Sequence, residues 1–162
     1  MSFKTAFFTF ALVLAPAFAA GCAAPSDAPA ESVAETSEQG LTNVQISTSI
    51  EKAFTFFEGP NEELATEMRS ATLPRAVRIA VARERRAIFA KLGENGLTSS
   101  DVEHMNVYAV YTSKTKRTLA GYALWVHANN GSMGQAFLVG FNSRAAVVTE
   151  KEDWYQDDQD WE

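Results

Sequence analysis

From Asn106 onward the apolar residues of this chain abandon a helical period and adopt a period of two. Residues 107–111 alternate as a strand, and 117–127, 134–141 and 144–149 follow at hairpin spacing. Two of these segments have no polar face: Leu119, Tyr122, Leu124, Trp125 and Val126 in one, Phe137, Leu138, Val139 and Phe141 in the other. Such strands belong in the middle of a sheet. The separations at 113–116, at 128–132 and at Asn142-Ser143 are turn-length, so an antiparallel meander is the economical topology. Upstream, Ile46, Ile50, Ala53, Phe54 and Phe57 recur at helical spacing and predict a helix over 43–57, stopped by Gly59-Pro60. Asn61 offers an N-cap for a short helix through Met68, and Pro74 opens a third over 75–92 that ends at Gly93. The expected fold is α+β, with N-terminal helices packed on one face of a four-stranded antiparallel β-meander.

The globular part is expected over 46–152. Before it, residues 22–45 are rich in Ala, Pro, Ser and Glu and contain no aromatic residue, so they bury too little to offset their ordering entropy and read as a disordered acidic tether. Residues 1–21 have the layout of a secretory signal: Lys4, an apolar run from Thr5 to Ala20, then small residues. The run is shorter than the roughly 20 residues a spanning helix needs, and Pro16 interrupts it. Ala19-Ala20-Gly21-Cys22 resembles the lipobox of bacterial lipoproteins, with Ala19 where that family usually has Leu. The resemblance implies cleavage before Cys22 and acylation of its thiol, hence a lipid-anchored protein of the cell envelope. Each buried methylene contributes about 0.8 kcal/mol, so the several acyl chains of such an anchor would hold the protein on its membrane. Ala23 after the cysteine favours an outer-membrane address. Plain secretion after an Ala-rich cleavage site is the alternative.

The net charge of −6 argues against nucleic acid as a partner. Charge is unevenly placed, with Arg75, Arg78, Arg83, Arg85, Arg86 and Lys91 on the third helix and an acidic aromatic tail at 153–162. That tail reads either as a docking element for an envelope protein or as a solvated end that folds back on the basic helix. No Gly-x-Ser-x-Gly elbow or phosphate-cradling glycine loop is present, and the only cysteine is assigned to lipidation, so no catalytic motif is found. His104 and His127 fall at the start of one strand and the end of another, where they can approach each other. With no third ligand at a recognisable spacing they read as strand-edge histidines, not metal ligands.

The remaining feature is the turn Asn129-Asn-Gly-Ser-Met-Gly134 with Gln135 behind it, where Gly131 and Gly134 permit close backbone approach and an anion on free N–H groups. An ordinary hairpin turn is the alternative. Together with Gly121-Tyr122-Ala123 and Leu138-Val139-Gly140-Phe141-Asn142, the region over roughly 50–150 resembles the FMN-binding domain family of bacterial envelope proteins linked to electron transfer. The resemblance implies an FMN-binding domain in which Asn129, Asn130, Gly131, Ser132, Gly134 and Gln135 approach the phosphate and Tyr122 or Trp125 packs near the isoalloxazine. No Ser/Asp-Gly-Ala-Thr motif exists to carry flavin on a threonine, so the cofactor implied is non-covalent FMN. Two alternatives stand beside it: a non-enzymatic interaction or structural lipoprotein, and a cystatin-like binding module.

Overall fold

The computed structural model describes residues 40–116 and 118–156. The expected signal, Cys22, most of the expected tether and residues 157–162 lie outside the described residues. Helix α1 (Asn43–Lys52) is set by a capping box: the Thr42 hydroxyl accepts from the Gln45 amide, and the Gln45 side chain accepts from the Thr42 amide. Ile46 and Ile50 face inward and are fully buried. The helix ends five residues short of the expected 57. Residues 54–60 instead form a small hairpin, β1 (Phe54–Thr55) with β2 (Gly59–Pro60), because the Trp125 indole N–H donates to the Phe56 carbonyl at 2.9 Å.

The second expected helix is a strand. Asn61 does start one turn: its carbonyl accepts from Leu64 and Ala65, and its side chain accepts from Glu63. Then β3 (Ala65–Met68) pairs antiparallel with β4 (Val102–Tyr111), with Ala65 opposite Val110 and Met68 opposite Val107. A short segment gains more by completing a sheet edge than from a second helical turn, since isolated short helices are marginal. A 3₁₀ turn (Ser70–Thr72) leads to helix α2 (Arg75–Glu94) behind Pro74, as the sequence predicts at its N-terminus. Its stripe Val77, Ala80, Val81, Ile88 and Leu92 is buried.

Strands β5 (Leu119–Asn129), β6 (Met133–Phe141) and β7 (Val147–Gln156) complete a five-stranded antiparallel sheet in the order β3-β4-β5-β6-β7. The meander and the central position of β5 and β6 are as expected. The strand count is five, not four. Strand β7 starts later than expected and runs through residues that read as tail. Asn142 sets that offset, its side-chain oxygen accepting from the Arg144 and Ala146 amides and its amide donating to Asn43.

The helices do not share one face of the sheet. Ile46, Ile50 and Ala53 of α1 pack with Tyr108, Val110, Ala123, Trp125 and Leu138. The α2 stripe packs with Val107, Ala109, Leu124, Val126, Phe137 and Phe141. Neighbouring residues of one strand belong to different cores, so the helices lie on opposite faces. That is why β5 and β6 are apolar on both sides.

Candidate functional site

The two residues expected as alternative flavin contacts lie on different sides of the sheet. Tyr122 joins the core beneath α2 and Trp125 the core beneath α1, an odd separation that sends them to opposite faces of β5. In the β5–β6 turn the Asn129 side chain accepts from the Gly131 amide at 2.8 Å, and the Asn130 side chain accepts from the Ser132 and Met133 amides at 3.0 and 2.9 Å. These Asx bonds already occupy the N–H groups that an anion would need. Gly131 takes its expected positive φ, 89°. Gly134 lies beneath the Tyr155 ring, which a Cβ there would strike. Gln135 is fully buried and donates to Glu152 on β7.

The glycines of the two resembling motifs have a packing role of their own. A Cβ on Gly121 would lie 2.5 Å from the Phe141 carbonyl oxygen and 3.0 Å from the Ile46 side chain. One on Gly140 would lie 2.7 Å from Ile50. Both positions seat α1 against the sheet.

An aromatic and imidazole cluster does form on the α1 face, at the end of the sheet that carries the turn. His104 and His127 are cross-strand partners, as their positions at a strand start and a strand end allow. Their rings lie 6.4 Å apart and near-parallel, and His104 stacks on Trp125 at 5.4 Å. Phe57 meets His127 edge-on at 5.7 Å and Tyr155 at 5.1 Å. Gly59, at φ 89°, brings the β1–β2 hairpin down onto the Trp125 ring, 3.0 Å from where a Cβ would stand. Burial holds the His127 imidazole below its ordinary pKa; Glu103, 3.2 Å from Nδ1, opposes that shift and His104 adds to it. Its Nε2 is buried with no partner. Among the described residues no group of three His, Cys, Asp or Glu is placed to hold a metal ion.

Strand β7 borders this cluster and forms one edge of the sheet. Its inner side is tied down. Lys91 of α2 reaches Glu152 at 3.1 Å and Glu150 at 3.5 Å, and the bond to Glu152 chiefly raises the Lys91 pKa. Lys151 reaches Glu51 of α1 at 2.7 Å, and the Ser47 and Thr149 hydroxyls are bonded. Glu150 and Glu152, just before the expected tail, thus tie β7 to the basic helix. Beyond these ties Trp154 is 59% exposed and Tyr155 39%. Comparison with family models, with curated proteins and with solved structures finds no match.

The structure adds to the sequence reading the approach of Phe57 to His127 and of Tyr155 to Phe57. The helical spacing puts Phe57 in a helix, and the acidic composition puts Tyr155 in a tail beyond the sheet. The three large aromatics near the C-terminus were the available signal; Trp161 lies outside the described residues.

Proposed function

We infer that this chain is a lipid-anchored envelope protein whose domain works by binding another protein, through the edge of β7. Cys22 is the anchor in this reading, and the tether carries the domain away from the membrane. The observation that supports it is the ten-residue edge strand β7, which ends in exposed Trp154 and Tyr155 and has no strand on its outer side among the described residues. An open edge offers a row of backbone donors and acceptors to an extended segment, and alternate side chains set its register. The aromatics supply apolar area at low entropic cost. Glu150, Lys151, Glu152 and Asp153 keep the edge from pairing indiscriminately, a usual role of edge charges.

The test is a photo-crosslinking residue at position 154 of the full chain, with one at exposed Ile79 of α2 as the reference site. A discrete adduct from 154 and none from 79 is expected, and Cys22→Ser is expected to release the chain from membranes. Equal labelling from both positions overturns the edge reading. Saturable uptake of FMN by the purified full chain, seen as the flavin absorption bands, would replace it with a flavoprotein.

A further inference from the structure

A cleft of about 430 Å³ opens on the α2 face, between the N-terminal half of α2, the end of β3 with its 3₁₀ turn, and β4. It arises because β3 is short. Pairing between β3 and β4 stops at Met68 opposite Val107, so residues 102–106 of β4 run on without a neighbour on that side. Helix α2 bridges the gap. Arg78, Ala82 and Arg85 line the cleft and follow one another at helical spacing, so they form a single stripe along it. Arg69 faces them from the segment after β3. The floor is apolar: Leu73 and Val81 are buried, and Met68 and Met105 partly so.

Among the described residues none of Arg69, Arg78 or Arg85 is in a salt bridge, although Arg83 on the same helix pairs with Glu84 and Lys91 with Glu150 and Glu152. Arg85 is fixed by one bond from Nη2 to the Met105 carbonyl, 3.1 Å, and its Nε is buried without a partner. Glu67 also lines the cleft, yet it makes no ion pair with the arginines and its charge acts on Tyr108, a residue of the opposite face. Helix α2 has no acidic residue in its first turn and carries Arg75 and Arg78 there, where the helix dipole disfavours cations. An anion in the cleft would complement these cations and the positive end of the helix dipole.

We propose that this cleft binds a small organic anion, with a phosphate or carboxylate head held by Arg69, Arg78 and Arg85 and an apolar body against Met68, Leu73 and Met105. The volume suits a small molecule, and the planar forks of arginine match both head groups. The cleft is separate from the β7 edge, so the proposal stands or falls independently of the protein partner.

The test is a titration of the full chain, labelled at its methionine methyls, with hexyl phosphate, hexanoate and hexanol. Saturable shifts of the Met68 and Met105 signals by one or both anions, with hexanol inert and Met133 unmoved, are expected. The tighter anion identifies the head group. Arg78→Gln is expected to weaken binding by about tenfold, and Arg78→Lys to retain part of it. Arg78 is exposed, so neither variant should alter the fold, and an unchanged circular dichroism spectrum checks this. The proposal is overturned if neither anion gives a saturable shift below about 10 mM, if hexanol shifts the same signals, or if Arg78→Gln binds as well as the parent.

Discussion

The two helices cover opposite faces of one sheet, but they close those faces differently. Helix α1 is short and sits directly on the strands, with Ile46 over Gly121 and Ile50 over Gly140. Helix α2 is twice as long, and only part of it is seated so closely. Its stripe from Val77 to Leu92 enters the core and Lys91 clamps β7, while Arg78, Ala82 and Arg85 border a cleft beside the N-terminal part of that stripe. Where Ile46 and Ile50 meet Gly121 and Gly140, helix and sheet leave no room between them. A face left open beside a short strand has room, and its unpaired cations indicate what would enter. The glycine-seated contacts and the proposed anion cleft thus lie on opposite sides of the sheet.

The largest expected effect tests that separation directly. Ile50→Ala removes a fully buried side chain from the closed face, and should cost about 4 kcal/mol, near the upper end for such truncations. Leu73→Ala removes a buried side chain from the wall of the cleft, where water can occupy the new space, and should cost about 2 kcal/mol. Urea unfolding of the two variants measures the difference. Equal losses would mean that the α2 face is as tightly closed as the α1 face.

Gly121→Ala should also cost about 2 kcal/mol, although it adds only a methyl group. The new carbon would stand 2.5 Å from a backbone oxygen of β6, which cannot turn aside as a side chain would. A variant as stable as the parent would show that α1 and β6 can separate at this point.

A smaller effect distinguishes the histidine cluster from the rest of the α1 face. The His127 pKa is depressed in the folded chain, chiefly by burial, so the native state favours the neutral ring. That contribution is complete above the ordinary histidine value of 6.5 and is lost as pH falls through the lower, folded value. The carboxyls of Glu51 and Asp101 are held below their ordinary values by Lys151 and Thr98, so the loss they cause sets in at lower pH than the onset of the histidine one. The urea midpoint should therefore fall on mild acidification, and His127→Gln should flatten the fall. A slope unchanged in that variant would assign it to other groups.

Much of this was legible in the sequence, and the failures have a common cause. The period change at Asn106, the both-sided β5 and β6, the start of α2 and the approach of His104 to His127 all follow from local pattern. What local pattern could not supply was the partner of each segment. Residues 61–68 open on an N-cap signal and fit a helix, yet 65–68 pair with a β4 edge some 40 residues on. Phe54 to Phe57 fit a helical stripe, yet a distant Trp125 takes the Phe56 carbonyl. Tyr122 and Trp125, the two alternative flavin contacts, are three apart on a strand, and the period of two places them on opposite faces. Doubly apolar strands also require cover on both sides, a constraint that the expectation of helices on one face did not meet.

The last prediction concerns the end of α2, where the sequence suggested that Gly93 terminates the helix. In the structure Gly93 remains inside α2, and Gly96 takes the positive φ of 77° instead. The Leu97 amide then closes the turn on the Leu92 carbonyl at 2.9 Å and brings Leu97 into the core. An added Cβ at Gly93 would meet nothing within 4 Å. Gly93→Ala therefore removes only the entropy that glycine loses in a helix, and should stabilise the chain by about 0.5 to 1 kcal/mol. Gly96→Ala should destabilise it, because an L side chain is strained at that φ. The opposite signs of the two alanine variants, read from their urea midpoints, would place the stop at 96 and extend the well-anchored part of α2 through Glu94. The reverse pattern would end the helix at 92 and leave less of α2 to hold the cleft open.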